Sequence, residues 1–188
     1  MKRLRRRILS ICTAIAAAVC AVPANSAVSE LFTAPVTAQA ASSGSWGSCS
    51  WTLDSTGKLT ISGSGTVYPE WYNSNAASTA DCPKQEDVKS VAVNAGITEI
   101  RNTSVSYGSG IYSNYLDFYG FAGCTNLKTV TLPSTLKTLC ESCFSRCTAL
   151  TSVNLPATLS AIPENCFYQC VQLAGITLPT NLESIGGY

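Results

Sequence analysis

From Phe121 to Tyr188 the apolar positions of the chain recur every 23 residues. Written in lines, the segment reads FAGCTNLKTVTLPSTLKTLCESC, FSRCTALTSVNLPATLSAIPENC and FYQCVQLAGITLPTNLESIGGY, the last line one residue short. The aligned columns are Phe121/Phe144/Phe167, Cys124/Cys147/Cys170, Leu127/Leu150/Leu173 and Val130/Val153/Ile176. They continue with Leu132/Leu155/Leu178, Pro133/Pro156/Pro179, Leu136/Leu159/Leu182 and Leu139/Ile162/Ile185. A period of this length marks a repeat architecture, in which each unit has too little apolar surface to fold alone and buries it against its neighbours. The alternation Leu-x-x-Val-x-Leu predicts one short strand per unit, with every second side chain inward. The proline that follows stops the strand, since it donates nothing to a ladder. The expected fold is a β-rich solenoid of 23-residue coils with parallel short strands.

A fourth copy lies upstream. Val88 to Ile100 matches Leu127 to Leu139 at an offset of 39 residues, one period plus 16. An insertion at about 101–120 therefore interrupts one repeat. Before it, residues 46–65 alternate as a β-hairpin, with Trp51 and Leu53 on one arm, Leu59 and Ile61 on the other, and Asp54-Ser-Thr-Gly57 between. The reading divides the chain into an N-terminal cap with this hairpin at 41–87 and repeats at 88–188, whose C-terminal end carries no cap and suggests a fragment of a longer array. The cap covers an edge that would otherwise invite strand addition, and Trp46, Trp51 and Trp71 are its packing residues.

The motif Leu-x-x-Val/Ile-x-Leu-Pro-x-x-Leu-x-x-Ile, followed by a small residue and Phe-x-x-Cys, resembles the BspA-like class of bacterial leucine-rich repeats over residues 88–188. The stretch Trp51–Gly65 resembles the hairpin that often precedes them. The resemblance implies leucine-rich repeat coils in an exported or surface-displayed bacterial binding protein, with no catalytic residue to carry over.

The first 40 residues belong to a different segment. Five of the 12 basic residues fall at Lys2, Arg3, Arg5, Arg6 and Arg7, ahead of an apolar run from Ile8 to Val22. That order is a secretory signal peptide, cleaved after Ala40 or alternatively after Ser26; its apolar core is too short to span a bilayer. The membrane is then met only through this leader before cleavage, and the mature chain is secreted or held at the cell surface. Composition narrows the function classes further. Hydrophobic residues make up 46% and charged residues 12% of the chain, which excludes a disordered polyelectrolyte. Histidine is absent, which removes His-based triads, proton shuttles and His-ligated metals. From residue 41 onward there are seven Lys/Arg against ten Asp/Glu, so no basic stripe is available for nucleic acid.

Ten cysteines remain to be read, eight of them beyond the leader. Cys140-Glu-Ser-Cys143 is a CxxC motif, and Cys143/Cys147 and Cys166/Cys170 are C-x3-C pairs. Four thiolates suit zinc and a CxxC suits redox chemistry. The repeat explains more of them: Cys124, Cys147 and Cys170 occupy one column, and Cys143 and Cys166 another, in which Gly120 precedes them. A buried cysteine behaves as a small hydrophobe. These are read as free thiols of a structural ladder with Phe121, Phe144 and Phe167, with no metal and no cofactor; only Cys140 lies off-column. A disulfide is plausible between Cys49 and Cys82, both in the cap. Glu141 and Glu164 share a column, which is read as a solvated turn position rather than a catalytic acid pair.

Recognition has better candidates. The insertion is rich in Tyr, Ser, Gly and Asn, the residues that binding loops favour, and Tyr107, Tyr112 and Tyr115 are its contact candidates. The second candidate surface is the outward sheet face: Thr129, Thr131, Ser152, Asn154 and Thr177. The expectation is a non-enzymatic binding or adhesion module for an extracellular or surface protein or glycan. Its alternatives are a targeting module of a larger secreted enzyme and a structural spacer.

Overall fold

In the computed structural model, which describes residues 41–71, 82–102 and 120–187 of the unit Thr37–Tyr188, the Asp54–Gly57 turn closes the expected hairpin. Strands β2 (Cys49–Leu53) and β3 (Lys58–Ser62) pair antiparallel, with Leu53 opposite Leu59 and Trp51 opposite Ile61. Gly57 takes the left-handed conformation (φ +86°) that the turn requires of its last residue. The Asp54 carboxylate accepts from the Thr56 hydroxyl at 2.6 Å, the Thr56 amide at 2.8 Å and the Lys58 amide at 3.0 Å. These bonds, the Thr56 hydroxyl first, hold the Asp54 carboxyl below the usual carboxylate range. Their support is therefore complete above about pH 4, the ordinary carboxylate value, and fades as pH falls through the lowered folded value. Acidification below about pH 4 is expected to loosen the hairpin, read by tryptophan fluorescence, and Asp54→Asn to lose part of that acid response.

A further strand precedes the hairpin. β1 (Ser42–Trp46) pairs antiparallel with β2, Gly44 facing Trp51. A Cβ on Gly44 would sit 2.8 Å from the Trp51 ring, so glycine lets the indole lie flat across the strand. Ser42–Ser45 carries no apolar alternation, which is why periodicity alone overlooks it.

From β3 onward pairing becomes parallel. The sheet runs β1-β2-β3-β5-β7-β8, with β5 (Ser90–Val93), β7 (Thr129–Thr131) and β8 (Ser152–Asn154). Val91 faces Val130 at the 39-residue offset, and Val130 faces Val153 at 23. β3 lies parallel against β5, so the hairpin covers the first repeat. A second set of short strands repeats the offsets. β4 (Gly65–Val67) pairs parallel with β6 (Ile97–Ile100), Glu99 bridges to Thr138, and β9 (Ala161–Ile162) pairs with β10 (Ser184–Ile185). Between the two sets the prolines turn the chain: the carbonyls of Pro133, Pro156 and Pro179 accept the amides of Leu136, Leu159 and Leu182 at 3.0–3.2 Å.

One expected strand is missing. Gly175–Leu178 is not paired, and Leu178 is exposed. Its column begins with Gly175 where Thr129 and Ser152 stand before it, and glycine both costs more chain entropy and offers no side chain to pack.

The interior is an aromatic column. Phe121 and Phe144 stack with centroids 5.6 Å apart and planes 10° apart; Phe144 and Phe167 stack at 5.6 Å and 8°. Trp71 meets Phe121 edge-on at 6.0 Å, Trp46 meets Trp71 at 5.8 Å, and Trp51 lies 5.8 Å from Trp46. All three indoles are buried. Trp71 Nε1 donates to the Gly120 carbonyl at 2.8 Å, tying the cap to the first repeat after the insertion.

The cysteines line this column. The Cys147 thiol donates to the Phe121 carbonyl at 3.2 Å and the Cys170 thiol to the Phe144 carbonyl at 3.1 Å. Each cysteine thus joins its repeat to the one before. Burial pushes the Cys124, Cys147 and Cys166 thiols well up, and Cys170, less enclosed, to about 11. All stay protonated near neutral pH. Cys49 and Cys82, between which a bridge was plausible, form no disulfide. Cys49 faces inward from β2, and its thiol packs over the Gly63–Thr66 bend, 3.6 Å from the Thr66 carbonyl.

Ser145 is the misfit of the ladder. It is fully buried and, among the described residues, its hydroxyl has no partner, while Ala122 fills the same column one repeat earlier. A buried hydroxyl left unpaired costs about 1–3 kcal/mol. Ser145→Ala is therefore expected to raise the unfolding free energy by about 1–2 kcal/mol, measured by urea titration. A drop in stability would show that the hydroxyl has a partner in solution.

Candidate functional site

Strand register turns the outward residues of the six-stranded sheet into straight rows. One row is Ser43, Thr52, Thr60, Ala92, Thr131, Asn154, in consecutive partners across all six strands. Another runs Lys58, Ser90, Thr129, Ser152, and a short third runs Ser45, Ser50, Ser62. Neighbouring strands lie about 4.8 Å apart and alternate residues along a strand about 6.6 Å, so these side chains form a flat lattice of hydroxyl groups. Their apolar alternates (Leu53, Leu59, Val91, Val130) point into the core. The rows hold one cation, Lys58, no carboxylate and no aromatic ring.

Thr129, Thr131 and Ser152 are exposed and, among the described residues, their hydroxyls have no internal partner. Asn154 differs from expectation. Its Oδ1 accepts the Leu132 amide at 3.0 Å and its Nδ2 donates to the Leu132 carbonyl at 3.1 Å. The side chain clips β8 to the end of β7 and is engaged in structure rather than offered to a ligand. Thr177 is exposed but stands outside the sheet, on the unpaired Gly175–Leu178 segment. Tyr107, Tyr112 and Tyr115 lie outside the described residues, as does the leader with its cleavage sites. Sequence reasoning found the repeat part of this face and missed its extension over β1, β2 and β3. The Thr52/Thr60 and Ser50/Ser62 pairs were visible in the hairpin, as the alternates of Trp51, Leu53, Leu59 and Ile61.

Among the described residues, the rest of the surface has no concentrated chemistry. One open groove of about 410 Å³ lies along β9 and β10, between Lys137, Ser160, Glu164 and Ser184. Another, of about 370 Å³, is lined by Lys84, Gln85, Glu86, Gly123 and Thr125. Glu141 and Glu164 are both exposed turn residues. On the β4–β6 side, Glu99 accepts from Arg101 Nε at 2.7 Å and from the Thr66 hydroxyl at 3.0 Å. These contacts, Arg101 first, lower the Glu99 carboxyl below its usual range and engage it in holding β4 against β6. Among the described residues no cluster of Cys, Asp or Glu is arranged to hold a metal ion, and no helix is long and apolar enough to cross a membrane.

Comparison with known proteins bears on this arrangement. The model of the BspA type leucine-rich repeat region matches residues 103–188. Among solved structures, the chain is similar to a leucine-rich repeat protein from Eubacterium ventriosum, with TM-score 0.52 and 20% identity over 78% of this chain and 40% of that one. It is also similar to the leucine-rich repeat protein of T. pallidum, with TM-score 0.43 and 21% identity over 69% of this chain and 46% of that one. The chain thus spans less than half the length of either. No curated protein matches it. At such identity the first likeness bears on the fold alone.

Proposed function

We propose, from the premise that this chain is a BspA-type leucine-rich repeat protein, that it is a non-enzymatic binding or adhesion module whose flat hydroxyl face receives the partner. The match to the BspA-type repeat supports an interaction or surface module. In the finer reading, 23-residue coils close a solenoid capped by the hairpin, the leader exports it, and it acts secreted or at the bacterial cell surface. The observation that carries the reading is the register of Thr52, Thr60, Thr131, Thr129 and Ser152 in rows on one rigid sheet. A rigid lattice binds without a large ordering cost. Its neutrality and lack of aromatic rings favour a polar partner, a glycan or the polar surface of another protein. Tyr107, Tyr112 and Tyr115 of the insertion are proposed as further contacts, rigid amphipathic aromatics beside adaptable polar residues.

The test is binding to immobilised cell-wall glycans and extracellular-matrix proteins. Thr129→Lys with Ser152→Lys places two charges on the face without touching the core. At least a tenfold loss on whichever surface captures the native chain, with an unchanged melting temperature, supports the reading. Undiminished capture by this variant overturns the assignment of the face. Replacing the three tyrosines with serine separates the insertion from the sheet in the same assay.

A further inference from the structure

Cys140 and Cys143 stand apart from the other thiols. The Cys147 and Cys170 thiols are each committed to a phenylalanine carbonyl of the preceding repeat. The Cys143 sulfur lies instead beside that of Cys140, both of them against Gly120: a Cβ there would lie 2.8 Å from Cys143 Sγ and 3.0 Å from Cys140 Sγ. The two residues are the ends of one CxxC turn, and Ser142 within it takes a left-handed backbone (φ +55°). Cys140 breaks the repeat pattern, for Pro163 occupies its column in the next repeat.

We infer that Cys140 and Cys143 form a redox-active dithiol that closes to an intraloop disulfide when it meets a low-molecular-weight disulfide. Both are buried, but Cys140 is the less enclosed of the two, 9% exposed against 0% for Cys143. Cys140 therefore attacks first, as its thiolate, on one sulfur of the reagent RSSR. The reagent's S–S bond breaks, RS⁻ leaves and takes up the proton that Cys140 gave, and a Cys140–S–SR mixed disulfide remains. Burial pushes the Cys143 thiol up and keeps it protonated until then. Cys143 then displaces the second RS⁻, to which its proton passes. The two cysteines lose two electrons and two protons, and RSSR becomes two RSH. Column neighbours such as Cys143 and Cys166 are poorer candidates, since repeats stacked at the strand spacing hold equivalent Cβ atoms about 4.8 Å apart, beyond the roughly 3.5–4.5 Å of a disulfide.

The sequence offers a clean readout. Trypsin cuts after Lys137 and Arg146, so Thr138–Arg146 carries Cys140 and Cys143 and no other cysteine. The folded protein is incubated with oxidised glutathione, blocked with iodoacetamide in denaturant, and digested without reductant. The expected product is Thr138–Arg146 unalkylated and two hydrogens lighter, with Cys124, Cys147, Cys166 and Cys170 alkylated. In Cys140→Ser, which keeps a small polar side chain there, Cys143 is expected to be alkylated and to carry no glutathione. Three results overturn the inference: a doubly alkylated Thr138–Arg146, a glutathione adduct on Cys140 that persists, or a cross-link to the peptide bearing Cys166. The wild-type peptide decides the matter even where the serine variant fails to fold.

Discussion

Phe144→Ala is expected to lower the unfolding free energy by about 3–5 kcal/mol, the usual cost of emptying a fully buried aromatic site. Phe144 is 0% exposed and stacks on both faces, against Phe121 and Phe167. Removing it takes away the ring's own burial and both stacking contacts, each worth about 0.5–1.5 kcal/mol beyond area. A domain of this size has only about 5–15 kcal/mol in hand, so the variant is left near the threshold of folding. The measurement is the urea midpoint at 25 °C, followed by emission of the buried tryptophans. Phe167→Ala, at a partly buried end of the column, is expected to cost less. A Phe144→Ala change below about 1 kcal/mol would mean that the ring is not sandwiched.

Gly96→Ala comes next, at about 2–3 kcal/mol, because it strains the backbone at the junction of cap and repeats. Gly96 lies between β5 and β6 with φ +107°, a conformation that side chains avoid. A Cβ there would fall 2.5 Å from the Gly63 carbonyl oxygen, a backbone atom with no rotamer to yield. The Gly96 carbonyl also accepts the Gly65 amide at 2.8 Å, so a shift of this turn pulls on the start of β4. A fall in melting temperature, with the tryptophan emission moved to longer wavelength, is the expected signature. Wild-type stability would mean that cap and repeats are not joined here.

How much of this was legible in the sequence depends on what each residue has to do. The inward columns were legible as far as β8, because a residue whose job is burial must be apolar in every repeat: Val91, Val130 and Val153 face one another at the offsets that the text of the chain implies, while Leu178 and Ile185 of the last repeat are exposed. The aromatic column was half legible. Phe121, Phe144 and Phe167 share a column, but Trp46 and Trp71 join them through tertiary contact with no period to announce it. β1 was hidden because its side chains are small and mostly exposed, and pairing with β2 comes from the backbone. Asn154 looked like its threonine neighbours in the column, and only geometry reveals that its amide is clipped to Leu132. The disulfide considered between Cys49 and Cys82 rested on shared location alone, and the inward position of Cys49 on β2 places its thiol over the Gly63–Thr66 bend. The hydroxyl lattice was legible only in part, since its rows cross from hairpin to repeats, and no single stretch of sequence contains them.

The deletion of one whole repeat reads the central claim most directly. If units of equal length stack through equivalent columns, removing residues 144–166 brings Cys143 against Phe167 and restores the Phe-x-x-Cys step in register. That chain is expected to keep a β-type circular dichroism spectrum and a cooperative urea transition, at a lower midpoint. Removing residues 144–160 instead throws every later column out of register and is expected to abolish the transition of the repeats. If the two deletions behave alike, both folded or both unfolded, the stack is not built from interchangeable units.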